Sequence, residues 1–248
     1  MKVVIDADYL LYRATEGKAQ KGIAAERGEA LGEGYKPKLK PYIQRFKNEV
    51  AGLLETMYVN DGMEDKITKV KFIFSDPKGN FRYDIFPAYK SDRTQKKSPE
   101  FYRLRKWALK KYGYIKHLEA DDRVWHYIRK GWVCVSMDKD VRKGLPGRFF
   151  NPHYMRNCFE ETSEIEAQHF VLYQTLMGDS VDKIPGIPGV GDKTAVKLLN
   201  DFGWDWNGVR ASFGKYGLDE DYAITMRRLV DMRQYSKKKG LRLWKPKS

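Results

Sequence analysis

The chain has 248 residues, of which 42% are hydrophobic and 14% aromatic, enough to bury the core of one globular unit. Its 47 lysines and arginines outnumber its 33 aspartates and glutamates, giving a formal net charge of +14. This charge predicts a polyanionic partner, with nucleic acid the first candidate. A membrane partner is disfavoured, because the sequence has neither an apolar run of spanning length nor a basic helix with a clean apolar face.

The two cysteines, Cys134 and Cys158, are too few for a disulfide framework, and Cys134 lies in an apolar run typical of a core. At the N-terminus Asp6 follows only three consecutive apolar residues, too few for the apolar segment of a signal peptide. Both observations predict a protein of the reducing cytoplasm.

Four short apolar segments, each followed by an acidic residue, are expected to be strands. In chain order they are Val3 to Ile5 before Asp6, Phe72 to Phe74 before Asp76, Ile115 to Leu118 before Glu119, and Val133 to Val135 before Asp138. Helices are expected between them at Tyr42 to Met57, Phe101 to Tyr112 and Asp121 to Arg129. This alternation predicts an α/β fold with a central, mostly parallel sheet flanked by helices.

Two further regions differ in composition. Residues 15 to 41 are rich in Gly, Lys, Glu and Ala, which predicts a poorly packed insert. After about residue 160 the strand signals fade, and helices are expected at Ser163 to Met177 and Asp192 to Leu199. We therefore predict one unit, residues 1–248, with an α/β core over residues 1–158 and a helical lobe over residues 159–248.

The acidic residues form the strongest functional signal. Parallel strands present their carboxyl ends at one sheet edge, where ligands bind in such folds. Carboxylates gathered there repel one another unless cations neutralise them, and Mg²⁺ prefers oxygen ligands, so an open cleft could hold two ions and a phosphate. The candidates are Asp6, Asp8, Asp76, Glu119, Asp121, Asp122, Asp138, Asp140, Asp179 and Asp182. The alternative, ordinary surface and helix-capping acids, explains single residues better than the recurrence after successive strands.

Other site chemistries have less support. The four histidines do not pair with each other or with cysteine at zinc-ligand spacings. No serine or cysteine lies in a recognisable nucleophile motif. The segment from Gly186 to Thr194 resembles an ATP-binding loop, but Asp192 intrudes before Lys193 and no strand precedes the glycines. We therefore expect no nucleotide cofactor.

The same glycine-rich segment places a tight turn before a helix N-terminus, which exposes backbone N–H groups to a phosphate. We interpret residues 178–200 as a helix-hairpin-helix that grips a DNA backbone without reading sequence. Its predicted DNA-binding residues are Gly186, Gly189, Gly191, Lys193 and Thr194.

Basic and aromatic residues alternate between Lys78 and Lys111, a pattern that suits phosphates and unpaired bases. Lys90 and Arg93 follow Asp76 in a turn-prone stretch and could reach a reacting phosphate. Arg82, Lys96 and Lys97 are further predicted DNA contacts. For Phe101, Leu104 and Trp107 a simple core role is the better interpretation.

As an ordered set, these pieces resemble the phage 5′–3′ exonucleases and flap endonucleases, a branch of the PIN-like 5′-nucleases. The resemblance covers most of residues 1–15 and 70–200. The matching pieces are Val4-Ile5-Asp6 with Tyr12-Arg13, Phe74-Ser75-Asp76, Tyr89-Lys90 with Arg93, Glu119-Ala120-Asp121-Asp122, Ser136-Met137-Asp138-Lys139-Asp140, and Gly178-Asp179 with Asp182 leading into Ile184-Pro185-Gly186.

The resemblance implies a structure-specific 5′-nuclease that hydrolyses DNA phosphodiester bonds by two-metal catalysis. One ion would lie near Asp6, Asp76, Glu119, Asp121 and Asp122, and the other near Asp138, Asp140, Asp179 and Asp182. It also implies that Lys90, Arg93 and Arg13 contact the scissile phosphate, that Tyr89 stacks on a terminal base, and that residues 78–112 form a basic arch. Mn²⁺ would substitute for Mg²⁺, and K⁺ would bind the hairpin loop.

The implied substrates are duplex DNA with a free 5′ end, nicked DNA and 5′ flaps, with RNA–DNA hybrid as a further candidate, in the cytoplasm of a phage-infected host. The insert and Asp8, where the family more often has Asn, depart from the family pattern. Three rival functions remain. Asp6-Ala7-Asp8 suggests a haloacid-dehalogenase-type phosphatase, although Leu10 stands where that motif usually has Thr or Val. The other two are a PIN-type ribonuclease and a non-catalytic protein that binds branched DNA.

Overall fold

The computed structural model describes residues 1–16, 38–93, 96–153 and 158–246, so most of the predicted insert at residues 15–41 lies outside the described residues. Within them the strands are β1 (Lys2–Asp6), β2 (Lys69–Ile73), β3 (Val133–Val135), β4 (Gly147–Asn151), β5 (Cys158–Thr162), β6 (Tyr235–Ser236) and β7 (Gly240–Leu241). The helices are α1 (Asp8–Glu16), α2 (Leu39–Asn60), α3 (Arg82–Ile85), α4 (Pro99–Tyr112), α5 (Ala120–Ile128), α6 (Lys139–Gly144), α7 (Glu164–Met177), α8 (Asp192–Phe202), α9 (Trp206–Lys215) and α10 (Glu220–Val230).

The described residues form a five-stranded sheet in the order β2-β1-β3-β4-β5. The first four of these strands run parallel, and β5 is antiparallel to β4. Strand β1 lies between β2 and β3, and its Val3, Val4 and Ile5 have no exposed surface. Such uninterrupted apolar runs are typical of parallel strands that are covered on both faces. The predicted α/β fold with a mostly parallel sheet is confirmed.

Helices cover both faces of the sheet, because successive side chains of a strand point to opposite faces. Val3 and Ile5 pack in one hydrophobic cluster with residues of α1, α2 and α4, such as Phe46. Val4 packs on the other face with residues of α5 and α6, such as Val124. The sheet is therefore the buried middle layer of the α/β region.

One predicted strand is wrong. Residues 115–118 form no strand, and only His117 makes an isolated parallel bridge, to Asn80. The segment still lies beside the end of β2, since Asp76 N donates to Leu118 O at 2.9 Å. A strand that was not predicted, β4, pairs in parallel with β3, and its apolar pair Phe149 and Phe150 is fully buried.

The predicted helices of the C-terminal region agree with α7 and α8 within a few residues. Ser163 begins α7 with a capping box, in which Glu166 N donates to the Ser163 hydroxyl at 3.2 Å and Ser163 N donates to the Glu166 carboxylate at 2.8 Å. Helices α7 to α10 share a hydrophobic cluster of their own, which also takes in Tyr89 from the preceding region. In the described part of the chain, no helix has both the length and the apolar character that crossing a bilayer requires.

Candidate functional site

Two of the predicted acids lie at the carboxyl edge of neighbouring strands. Asp6 ends β1, and Asp138 follows β3, which pairs in parallel register with β1. The buried Ser136 joins them, because its hydroxyl donates to Asp6 Oδ2 at 3.2 Å and accepts from Asp138 N at 3.1 Å. Asp138 also caps α6 by accepting from Asp140 N at 2.8 Å. The strand ends and this cap therefore bring Asp6, Asp138 and Asp140 together.

Glu119 and Asp121 reach the same edge from the start of a helix. Glu119 is the N-cap of α5, and Asp121 lies in the first turn. A capping box fixes this turn, in which Asp122 Oδ2 accepts from Glu119 N at 3.2 Å. The helix start therefore supplies both carboxylates, including Glu119, which a predicted strand was expected to deliver.

A tight loop after α7 carries Asp179 and Asp182. Its ends are held by two backbone hydrogen bonds between Asp179 and Ile184, at 2.7 and 2.8 Å. The backbones of Gly178 and Gly186 are in close contact, and both residues have a positive φ, 74° and 60°. A Cβ on Gly186 would lie 2.4 Å from Gly178 N. Glycine is therefore required at both positions for the loop to close and to present its acids to the cleft.

These elements enclose a narrow cleft, lined among others by Glu119, Asp121, Asp138, Asp140, Gln174, Asp179 and Asp182. Burial, together with the charges of Asp8 and Asp138, raises the pKa of Asp6 to about 8. Burial and the charge of Asp138 raise the pKa of Asp140 to about 7. Burial and the charges of Asp6 and Asp138 raise the pKa of Asp121 well above its ordinary value. The carboxylates thus oppose one another's ionisation in the absence of added cations.

The donor set fits a hard divalent cation. Asp140 Oδ1 is buried and has no hydrogen-bond partner, and the same holds for Asp8 Oδ1. Among the described residues, no three ligating side chains are already closed around one point. Mg²⁺ does not need such a cage, since it keeps several waters and is usually bound by one or two carboxylates together with substrate phosphates. The cleft therefore suits a hard divalent cation bound through carboxylate oxygens.

Two basic residues reach into this acidic cleft. Lys90 Nζ lies 2.5 Å from Glu119 Oε1 and 3.3 Å from Asp182 Oδ2. Arg93 Nη2 lies 2.5 Å from Asp182 Oδ1. Burial alone would raise the pKa of Glu119, but Lys90 and Arg82 outweigh it and lower that pKa. The predicted basic residues Lys90 and Arg93 therefore contact two of the candidate metal ligands, Glu119 and Asp182. A phosphate bound in the cleft would lie beside them.

Two predictions about charged residues are wrong. Arg82 is not a DNA contact, because it is only 2% exposed, and both its terminal nitrogens donate to Asp122, at 2.9 and 2.8 Å. Asp122 is not positioned as a metal ligand, because it is fully buried and both its oxygens are engaged with Arg82. Residues 82 and 122 lie too far apart in the chain for the sequence to reveal this pairing.

The prediction that Tyr89 stacks on a base is also contradicted. Tyr89 is 2% exposed, and its ring packs edge-on against Tyr83 at a centroid distance of 5.5 Å. Its hydroxyl donates to Glu119 Oε2 at 2.9 Å and lies 3.2 Å from Asp182 Oδ2. The hydroxyl of Tyr89 therefore contacts two cleft acids, and its buried ring has no free face for a base.

Two other predicted residues lie away from the cleft lining. Asp76 accepts backbone N–H groups from Lys78 and His117 at 2.9 and 2.8 Å, so its carboxylate organises the turn after β2. Arg13 pairs with Glu49 at 2.8 Å and lines a separate groove between α1 and α2.

Lys96 and Lys97, two of the predicted DNA contacts, do not line the cleft. Lys96 is exposed, and Lys97 Nζ lies 4.9 Å from the centre of the Tyr12 ring.

The predicted hairpin residues divide into two groups. Gly186 is buried in the loop closure, so its predicted contact with DNA is wrong. Gly189, Gly191, Lys193 and Thr194 are exposed around the start of α8. Gly191 is the N-cap of this helix and provides no side-chain cap, which leaves the first-turn N–H groups available to a phosphate.

Sequence reasoning missed Gln174 and Ser136. Gln174 is 4% exposed on α7 and lines the cleft together with Asp140, and its side chain opposes the rise in the pKa of Asp140. A polar residue among the buried Val171, Leu172 and Thr175 was the available signal for Gln174. Ser136 lies in the motif that contains Asp138, but its role is apparent only from its contact with Asp6.

Comparison with known proteins adds independent information. Residues 165–235 match the family described as "5'-3' exonuclease, C-terminal SAM fold". The 5′-3′ exonuclease of Buchnera aphidicola subsp. Acyrthosiphon pisum is 30% identical over 155 residues, which are 55% of this chain and 54% of that protein. DNA polymerase I of Bacillus subtilis is 30% identical over 172 residues, which are 56% of this chain and 18% of the polymerase. The chain thus spans about half of the first relative and less of the second.

A solved structure extends the likeness over nearly the whole chain. The bacteriophage T5 D15 flap endonuclease, in a pseudo-enzyme–product complex with DNA and metal ions, superimposes with a TM-score of 0.59. The match covers 93% of this chain and 89% of that one, at 15% sequence identity. At this identity the likeness shows a shared fold alone.

Proposed function

We propose that the chain is a divalent-metal-dependent, structure-specific 5′-nuclease acting on DNA, because residues 165–235 match the 5′–3′ exonuclease family and a Buchnera aphidicola 5′-3′ exonuclease is 30% identical over 155 residues. It hydrolyses phosphodiester bonds near a free 5′ end and removes 5′ flaps, leaving a 3′-hydroxyl and a 5′-phosphate. Its substrates are duplex DNA with a free 5′ end, nicked DNA and flap DNA, with RNA–DNA hybrid as a further candidate. This role suits phage DNA replication and the removal of primers or flaps.

One observation carries the proposal. Acids from the strand ends, from the start of α5 and from the loop after α7 meet in one cleft, and Lys90 and Arg93 meet them there. A protein that only binds DNA gains nothing from such acids, because carboxylates repel phosphates. Carboxylates that oppose one another's ionisation, with basic groups beside them, instead suit a cation-assisted reaction on a phosphate.

The residues that would hold Mg²⁺ are the cleft acids Glu119, Asp121, Asp138, Asp140, Asp179 and Asp182, with Asp6 behind them. Bound Mg²⁺, for which Mn²⁺ would substitute, supplies an activated water and neutralises charge on the reacting phosphate. Lys90 and Arg93 offset the negative charge that develops on the phosphate as its bond breaks. Ser136 keeps Asp6 in place through a hydrogen bond from its hydroxyl.

We propose that the helical region binds duplex DNA. The exposed start of α8, with Lys193 and Thr194, would bind a backbone phosphate through N–H groups and charge. A potassium ion at this loop stays a prediction of the family resemblance. We also propose that residues 1–158 form the catalytic core and residues 159–248 the helical lobe. The two unpaired cysteines suit the reducing cytoplasm.

The test is cleavage of end-labelled duplex, nicked and 5′-flap DNA with and without Mg²⁺, comparing the wild type with Asp138→Ala plus Asp140→Ala. A matched control, Asp201→Ala plus Glu161→Ala, removes two exposed acids away from the cleft. We expect Mg²⁺-dependent cutting by the wild type and the control, and DNA binding without cutting by the cleft variant. Binding without cutting by all three proteins would favour a DNA-binding scaffold, and preference for RNA would favour the PIN-type ribonuclease.

A further inference from the structure

Arg82 is a buried arginine whose donors contact two other parts of the molecule, the start of α5 and the end of α10. Its side chain is 3% exposed. Nη1 and Nη2 form a fork on Asp122 at 2.9 and 2.8 Å, and Nη1 also lies 3.4 Å from Glu119 Oε2. Nε donates to the backbone carbonyl of Leu229 at 2.7 Å. Four of the five N–H donors of this guanidinium are engaged within the protein, and these contacts fix its geometry.

Asp122 transmits this geometry to Glu119. Both oxygens of Asp122 are held by Arg82, and Oδ2 also accepts from Glu119 N at 3.2 Å. The main chain of Glu119 is thereby held by Asp122, while its side chain is attracted by Arg82. Glu119 in turn carries the contacts with Lys90 and Tyr89. The position of one cleft acid thus depends on an almost fully buried charged pair, of which Arg82 lies at the cleft wall.

The contact with Leu229 extends the connection to α10, which is packed in the hydrophobic cluster of the helical region. Leu229 also lines the cleft, as does Val230 beside it. Replacing a buried ion pair with neutral residues is often harmless to stability, so stability alone gives little reason for a charged pair here. Its placement between the start of α5 and the end of α10 points instead to a role in setting the site.

We propose that Arg82 and Asp122 are positioning residues, which fix Glu119 for cation binding and tie its position to α10. The inference rests on the proposed metal-dependent nuclease function. Because both side chains are almost fully buried, we assign neither of them a contact with substrate. Residues that orient metal ligands from behind commonly change metal affinity about 10-fold to about 100-fold when they are replaced.

The test is the double variant Arg82→Met plus Asp122→Asn. Its two lost charges cancel, so the net charge of the region is unchanged, and the new amide side chain would keep an oxygen for the N–H of Glu119. We expect Mg²⁺ affinity, measured by calorimetry without DNA, to fall about 10-fold or more. In cleavage assays at saturating Mg²⁺, kcat for flap DNA should fall while KM changes by less than about twofold, because the residues do not contact DNA.

A matched control comes from a second buried pair. Arg227 and Asp231 are 5% and 3% exposed and lie 3.0 Å apart, but neither lines the cleft. Arg227→Met plus Asp231→Asn should lower thermal stability while leaving Mg²⁺ affinity within about twofold of wild type, because it removes no contact to a cleft acid. This control separates a loss of positioning from a general loss of stability.

A second variant tests the same role if the double variant does not fold. Arg82→Lys keeps the buried positive charge but cannot form the fork on Asp122 and reach Leu229 at once. It should fold with wild-type circular dichroism and still bind Mg²⁺ more weakly than the wild type, by at least about threefold. If Arg82→Lys and the double variant both bind Mg²⁺ as the wild type does, the positioning role is overturned. If the wild type itself neither binds Mg²⁺ nor cuts DNA, the proposed function fails instead.

Discussion

Lys90 and Glu119 form a close ion pair, with 2.5 Å between Nζ and Oε1, at the centre of the carboxylate cleft. Lys90 adopts a left-handed backbone with φ of 53°, and its own N–H donates to the Asp182 carbonyl at 2.9 Å. A lysine seldom adopts this conformation, so the surrounding contacts hold the ammonium on Glu119 and Asp182. The lysine therefore neutralises acids that a divalent ion would also use.

This competition gives the first prediction. Lys90→Met should increase Mg²⁺ affinity in the absence of DNA by about tenfold, which corresponds to about 1.4 kcal/mol, because the ion no longer displaces an ammonium. Cleavage should nevertheless fall, since the phosphate loses a basic contact. Calorimetry measures the first effect and flap cleavage the second. Lys183→Met, which removes an exposed lysine paired with Asp92 in the same region, is the control and should change neither strongly.

Loop closure at Gly186 gives the second prediction. Gly186→Ala should reduce the free energy of unfolding by about 3 kcal/mol, because it adds steric overlap with Gly178 to the strain of a positive φ. Gly189→Ala shares the positive φ, 78°, but its Cβ would meet nothing within 4 Å. It should cost about 1 kcal/mol. Equal losses for both variants in urea unfolding would show that the close approach to Gly178 is unimportant.

The third prediction concerns the start of α8. Lys193→Met should weaken binding of nicked duplex DNA equally for unrelated sequences and reduce the slope of log affinity against log salt concentration by about 1. The control is Lys197→Met. Lys197 lies one turn further along α8, and its Nζ lies 2.7 Å from Asp201 Oδ2. This variant should leave the slope unchanged. Fluorescence anisotropy across a salt titration distinguishes the two, and identical slopes for both variants would exclude the proposed phosphate contact.

The fourth prediction is a pH dependence of stability. Burial would raise the pKa of Asp231, but Arg227 and Arg233 outweigh it and lower that pKa below the ordinary value of 3.8. The folded state therefore favours ionised Asp231, whose stabilising contribution is complete above pH 3.8 and is lost as the pH falls through the lowered pKa. Asp231→Asn should cost about 3 kcal/mol at about pH 7 and less below about pH 4. Urea unfolding between about pH 7 and about pH 3 measures this difference, and a constant gap would contradict the prediction.

Several features of the site could be predicted from the sequence because they depend on local pattern. Asp6 and Asp138 each follow a short apolar strand, and parallel strands end at one edge, so their meeting could be expected from the sequence alone. Glycines before α8 likewise predicted an exposed helix start, since few other residues tolerate the required turns. These predictions use only short-range spacing and the direction of the strands.

What the sequence alone determined is therefore the α/β alternation, the acidic sheet edge and the glycine turn before α8. Only the tertiary structure decided that Arg82 pairs with Asp122 and Leu229, that Tyr89 is buried with its hydroxyl on Glu119, and that Lys90 contacts Glu119. The physical reason is that a charged side chain has no preferred partner along the chain. Its burial and its contacts arise only when distant helices pack together, and that packing turned a predicted DNA contact and a predicted metal ligand into one buried pair.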